Sequence, residues 1–319
     1  MNASSRCRVV FLDAGTLPCG LPFAQAGLPP EALARLDYVA HAHTRPDDVA
    51  ARIAQADVVV VNKVRLDAAL MAAAPRLRRI CIAAAGMDNV DVSAAGQRGI
   101  EVFNVPDYGS DSVAEHVIAT LLALRRHLAI YGAASHDGRW SASDHFCWHG
   151  PRILPLSGST LGIVGRGRIG QATARMARAL GVRVLFAQRP GRVSLDDERP
   201  LDALLATCDA ISLHLPLTPD TRGLIDARRL ASMPAHAVLI NTGRGALVDA
   251  PALADALRSG RLAGAAIDVL EVEPPPRDHP LLAPDIPNLL LTPHVAWASE
   301  PAQQRLAARL VERIVEVLA

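Results

Sequence analysis

The segment TLGIVGRGRIGQATARMARALG, residues 160–181, constrains the fold of this chain more than any other. Gly165, Gly167 and Gly170 form GxGxxG directly after an apolar run and directly before an amphipathic one, in which Ile169, Ala172, Thr173, Met176, Ala177 and Leu180 fall on one helical face. That context predicts a strand, a tight turn and a helix. Gly165 permits the turn, Gly167 lets backbone approach a pyrophosphate, and Gly170 lets helix and strand pack closely. The helix start at Arg168 and Ile169 then presents orphan amides and a positive dipole end to phosphates. A dinucleotide is the expected ligand of this loop, and an ordinary Gly-rich turn is the alternative.

The same alternation continues downstream through VRVLFA, DAISLHL, AVLIN, a helix ending at Gly260, GAAID and NLLL before Pro293. Upstream, RVVFL (8–12), DVVVV (57–61), RRICIA (78–83) and IEVFNV (100–105) alternate with Ala-rich stretches. Short, uniformly apolar runs of this kind suit parallel strands buried on both faces. With 319 residues, half of them apolar, the chain can bury two cores. Aromatics are scarce, so those cores are aliphatic. The expected fold is α/β, with two doubly wound parallel-sheet domains: a Rossmann nucleotide domain over 107–295 inserted into a smaller, flavodoxin-like substrate domain made of 1–106 and 296–319. Pro301 to Ala319 reads as a helix returning to the first domain. After Pro106, Ser110 or Asp111 can cap a helix carrying Val113, Val117, Leu121 and Leu124. Tyr131, Trp140, Phe146 and Trp148 follow in a stretch without clean periodicity. It reads as an arm packing on a partner subunit, or as a loop folded back on its own chain.

Several classes of partner are disfavoured. A formal charge of +1, from 33 basic and 32 acidic residues mixed along the chain, leaves no footprint for nucleic acid or an anionic membrane. The amino-terminal apolar run, Val9 to Leu12, is too short for a signal-peptide core, and no stretch approaches the roughly 20 apolar residues of a membrane span. A cytoplasmic location is expected. Cys7, Cys19, Cys81, Cys147 and Cys208 are scattered and never form CxxC, which suits reduced thiols. His41 and His43 on a possible strand, and His136, His145 and His149 in the aromatic stretch, lack convergent acidic or thiol partners. No metal is expected.

The strand after the glycine loop ends in LFAQRPGR, with Gln188 where this fingerprint places the acid that holds the ribose hydroxyls. A neutral amide does not repel a 2′-phosphate, and Arg189 and Arg192 can pair with one. NADP(H) is therefore favoured over NAD(H). The alternative is that Gln188 bonds the ribose while both arginines sit in solvent.

Three more segments, INTGRGALVD with Arg244, AIDVLEVEPPP with Asp268 and Glu273, and LTPHVAWAS with His294, each lie at or just past a predicted strand end, the edge where open α/β sheets bind ligands. Together with LGIVGRGRIG they resemble the D-isomer-specific 2-hydroxyacid dehydrogenases over nearly the whole chain. NKVRLDAALMAAAPRLRRICIAAAGMDNVD, NVPDYGSDSVAEH and SDHFCWHG share that resemblance. It implies reduction of a small 2-oxo acid to the D-2-hydroxy acid, with Arg244 holding the substrate carboxylate and polarising the carbonyl. His294 would donate the proton and Glu273 would support the protonated imidazole. Singly, each residue has a plainer reading: a turn arginine, a surface acid, a helix-start histidine.

The resemblance further implies that Ala85 and Gly86 receive the substrate carboxylate through backbone amides, with Asn62 and Lys63 nearby. It implies that His214, Pro216 and Thr242 pass beside the cofactor. Asp268 would contact the nicotinamide carboxamide or serve a structural role at its strand end, and Ser110 and Ser112 would line the nicotinamide site or cap their helix. Within the family, NKV, DSVAEH, SDHFC and LFAQR are most similar to glycerate dehydrogenases, which reduce hydroxypyruvate or glyoxylate. A homodimer is expected. Other 2-oxo acids, or a dinucleotide-sensing corepressor of the same fold, are the alternatives.

Overall fold

Five short runs of β-branched and apolar residues build the first sheet. In the computed structural model, which describes residues 6–317 except Ala26, Leu28 and Pro190, they are β1 (Cys7–Phe11), β2 (Leu36–Ala40), β3 (Val58–Val61), β4 (Arg79–Ile82) and β5 (Glu101–Asn104). All pair in parallel, in the order β2-β1-β3-β4-β5. The inner strands β3 and β4 are buried at every position, which explains why their sequences are continuous apolar runs rather than alternating ones. The edge strand β2 is only half-buried, so LDYVA carries a charge and no such run, and sequence patterning passes over it. It ends at Ala40, so His41 and His43 lie beyond a strand rather than on one.

The last helix, Glu300–Val315, belongs with this sheet. Pro301 sits at its start, and Leu306, Leu310 and Ile314 bury one face at helical spacing. Arg79 of β4 reaches both Glu101 and Glu316, with its guanidinium over the Phe103 ring. Residues 1–109 with 298–319 form one compact unit and 110–297 a second. Residues 1–5, 318 and 319, assigned above to the first domain, lie outside the described residues.

The second unit is built on seven parallel strands: β6 (Thr160–Val164), β7 (Arg183–Ala187), β8 (Glu198–Arg199), β9 (Ala210–Leu213), β10 (Val238–Asn241), β11 (Gly264–Ile267) and β12 (Leu289–Leu291). Their order is β12-β11-β10-β9-β6-β7-β8. The chain thus works outward from β6 to one edge and then restarts on its other side at β9. That reversal opens a crevice at the carboxyl ends of β6 and β9, where ligands of such sheets bind. The two-residue edge strand β8 is too short to leave a pattern.

On one face of this sheet the helix Ser110–Arg125 and the helix Arg168–Ala179 pack together, with Val117, Leu121, Leu124, Ala174, Ala177 and Phe186 in one apolar cluster. Ser110 and Asp111 are the first residues of their helix, not a cap preceding it. Leu180 is 43% exposed, because the helix ends one residue earlier and the chain leaves the packed face. Ala174, outside the expected set, is fully buried.

The aromatic stretch includes a helix, Leu128–His136, and partly closes on itself. Tyr131 and Trp148 meet edge to face at 5.5 Å, the Tyr131 hydroxyl donates to the Pro151 carbonyl, and the Trp140 indole donates to the Phe146 carbonyl. Phe146 is 93% exposed. Among the described residues the five cysteines are free thiols, and no single helix is long and apolar enough to cross a membrane.

Candidate active site

The glycine loop lies at the carboxyl end of β6. Gly165 has φ +115°, and a Cβ there would run into the His214 carbonyl, so the β6 and β9 loop backbones touch. A Cβ on Gly170 would collide with the Gly165 carbonyl; this is the close packing of helix on turn that the third glycine permits. Gly167 differs, since nothing lies within 4 Å of its Cβ position. It is the amino-terminal flank of the helix, among the described residues no side-chain cap bond is made there, and Arg168 and Ile169 open that turn. The Thr242 hydroxyl, at the end of β10, is buried without a partner among the described residues. Open space over Gly167, uncapped amides and an orphaned hydroxyl at the sheet's carboxyl edge together fit a dinucleotide. His214 shares a hydrogen bond with Ser212 at 2.9 Å, and burial pushes its imidazole down to about 4. It is therefore neutral near pH 7, and neighbouring Pro216 is exposed.

Beyond β7 the rim divides its cations. Arg166, inside the glycine loop, folds over the Phe186 ring and pairs with Asp197 at 2.7 Å. Arg189 and Arg192 are exposed and have no ion pair among the described residues. The Gln188 backbone amide continues the ladder to the Arg199 carbonyl, and its side chain bonds to no described residue.

His294 and Glu273, 21 residues apart, meet at 2.7 Å between Nδ1 and Oε2. The carboxylate can only accept, so Nδ1 carries a proton and Nε2 is the nitrogen left to exchange one. Nε2 has no partner among the described residues. The imidazole is 27% exposed and the carboxylate 28%, which leaves both reachable. The backbone beneath is fixed tightly. His294 has φ +56°, a conformation that costs energy unless its surroundings enforce it. Its amide donates to the Asp268 carbonyl at 2.8 Å, its carbonyl accepts from the Trp297 indole, and the Asp268 carboxylate takes the Thr292 hydroxyl and the Val295 and Ala296 amides. Of the two roles open to Asp268, the structure displays the structural one: it is 3% exposed with three donors upon it.

Arg244 follows β10 on a turn stapled by buried Asn241, whose amide nitrogen donates to the Arg244 carbonyl while its oxygen accepts the Gly243 amide. Gly245 next to it leaves no room for a Cβ, which would strike the backbone of Leu270 and Glu271. The Leu270 amide is held by Glu273 Oε1 at 2.9 Å. Two loops packed backbone on backbone thus carry Arg244 and Glu273, and a third, after β12, carries His294.

In the first unit the turn after β3 is held from within. The amides of Asn62, Lys63 and Val64 are already taken by the buried Asp13 carboxylate, at 2.8, 2.6 and 3.1 Å. The chain's own carboxylate therefore fills the turn after β3 and fixes the backbone that carries the Asn62 and Lys63 side chains. The Ala85 and Gly86 amides donate to no described residue. Ser112 is also redirected: its hydroxyl donates to the Ala296 carbonyl, which pins the turn after His294 rather than capping a helix. Asp13, Asn241, Thr292 and Ser212 escape sequence reading, because their partners are set by the fold and no local spacing marks them. Gly245, directly after Arg244, was the readable signal.

The D-isomer specific 2-hydroxyacid dehydrogenase, NAD binding domain, matches residues 118–296. The glycerate dehydrogenase of Methylorubrum extorquens is 42% identical over 269 residues, covering 84% of this chain and 85% of the relative. Among solved structures, an NADPH-dependent glyoxylate/hydroxypyruvate reductase of Sinorhizobium meliloti in complex with NADP and malonate superposes with TM-score 0.79 at 32% identity, covering 97% of this chain and 93% of that one. The D-lactate dehydrogenase of Aquifex aeolicus, complexed with NAD and lactic acid, gives TM-score 0.76 at 28% identity, with coverages of 96% and 94%.

Proposed function

This chain belongs to the D-isomer-specific 2-hydroxyacid dehydrogenase family, an NAD(P)-dependent oxidoreductase of 2-oxo acids, and from that premise we propose that it reduces hydroxypyruvate or glyoxylate with NADPH. The observation that carries the proposal is the 2.7 Å contact between His294 and Glu273, which leaves Nε2 for the substrate. When bound, the dinucleotide supplies the hydride that adds to the carbonyl carbon. Arg244 grips the carboxylate and draws charge onto the carbonyl oxygen. His294 protonates that oxygen from Nε2, and Glu273 holds the other ring proton in place. Gly165, Gly167, Arg168 and Ile169 cradle the pyrophosphate, while Thr242, His214 and Pro216 flank the remainder. The amides of Ala85 and Gly86 receive the carboxylate.

For the cofactor, the neutral Gln188 and the two exposed arginines, Arg189 and Arg192, support a 2′-phosphate, and the Sinorhizobium relative is NADPH-dependent. Residues 107–295 form the dinucleotide domain in this reading and the remainder the substrate domain. The exposed Phe146 and Trp140 rings support pairing into a homodimer.

An initial-rate panel of hydroxypyruvate, glyoxylate, pyruvate and phenylpyruvate against NADPH and NADH tests the proposal. The highest kcat/KM is expected for hydroxypyruvate or glyoxylate with NADPH. A higher value with NADH overturns the cofactor assignment, and a preference for phenylpyruvate overturns the substrate.

A further inference from the structure

We propose that Asn104 is a positioning residue that aims the Gly86 amide and so sets the grip of the Ala85-Gly86 turn on a carboxylate. The inference rests on the reading of that turn given above. Asn104 is the last residue of β5 and stands in register with Ile82 of β4. As the chain leaves β4, two successive carbonyls are drawn toward the end of β5. The Ala84 carbonyl accepts the Val105 amide at 3.1 Å, and the Ala85 carbonyl accepts the Asn104 side-chain amide at 2.6 Å.

In a trans peptide the C=O and the following N–H point in opposite directions. Tying both carbonyls to residues 104 and 105 therefore turns the amides of Ala85 and Gly86 to the opposite side, as a consecutive pair. Two neighbouring amides that face one way form a concavity suited to an oxyanion. Neither donates to a described residue. The same sheet edge holds an internal precedent, since Asp13 fills a row of three amides at Asn62, Lys63 and Val64.

The two ties differ in kind. The bond to Ala84 runs from backbone and survives any substitution; the bond to Ala85 depends on the side chain of Asn104. Without that donor the Ala85-Gly86 peptide is free to rotate and its N–H no longer has a set direction. The Ala85 amide, aimed by backbone alone, is retained, so binding of the carboxylate weakens but is not lost.

Asn104→Leu keeps the branched side-chain shape and removes the donor; Asn104→Ala removes both. Each should raise KM for hydroxypyruvate and the inhibition constant of oxalate about 10-fold, with kcat, the NADPH dissociation constant and Tm little changed. Unchanged KM and oxalate inhibition would overturn the proposal, as would a joint loss of Tm, kcat and NADPH binding, the mark of a merely structural role. Spectra of protein labelled with 15N-glycine, with the Gly86 resonance assigned by its loss in Gly86→Ala, separate this inference from the one beneath it. If oxalate does not move the wild-type Gly86 resonance, the turn itself is misassigned. If oxalate moves it equally in wild type and Asn104→Leu, the turn holds the carboxylate without help from Asn104.

Discussion

Replacing His294 with alanine should lower kcat for 2-oxo acid reduction roughly 1,000-fold while NADPH binds almost as before. The size follows from the position of Nε2, which has no partner among the described residues because Glu273 engages the opposite nitrogen at 2.7 Å. The retention of cofactor follows from the backbone. The turn is held by the Asp268 carbonyl and carboxylate, by Thr292 and by the Ser112 bond to Ala296, none of which involves the imidazole. Both histidine and alanine bear the φ of +56°, so the substitution adds little strain. Single-turnover absorbance and NADPH fluorescence titration separate the two effects. Loss of NADPH binding in proportion to turnover would make His294 a structural residue instead.

Arg244→Ala should be still more damaging, lowering kcat/KM by roughly 10,000-fold, because the guanidinium is asked both to hold the carboxylate and to stabilise charge on the carbonyl oxygen. Both kcat and KM should worsen. Arg244→Lys keeps the charge without the planar fork, and should recover only a minor part of the loss. The turn itself should persist in either variant, since Asn241 staples it through the backbone and Gly245 packs on Leu270 and Glu271. Steady-state kinetics on both variants checks this, with Tm as the control. A rise in KM at constant kcat would restrict Arg244 to binding.

What could be read from the sequence was whatever leaves a local mark. The glycine loop was legible because each glycine answers a separate backbone demand: a positive φ at Gly165, open space at Gly167 and a close approach at Gly170. The inner strands were legible because burial on both faces makes them uniformly apolar, whereas the half-buried edge strand β2 and the two-residue β8 carry no such signature. Arg244, Glu273 and His294 are marked by family resemblance and by their positions at strand ends. The supports beneath them were hidden. Asp268 clasping residues 292–296, Asp13 filling the turn after β3 and Asn104 holding Ala85 are pairings across 19 to 51 residues. Only the completed sheets bring those partners together, so the Asp13 carboxylate on the Asn62 and Lys63 amides leaves no local mark in the sequence.

The chemistry proposed for Arg244, Glu273 and His294 is reduction of hydroxypyruvate at C2 to the D-hydroxy acid. Incubating the protein with hydroxypyruvate and NADPH deuterated on the transferring position, then analysing the glycerate by mass spectrometry and chiral chromatography, tests it most directly. One deuterium at C2 of D-glycerate is expected for each NADPH consumed. L-Glycerate, or NADPH consumption without deuterium at C2, would contradict it.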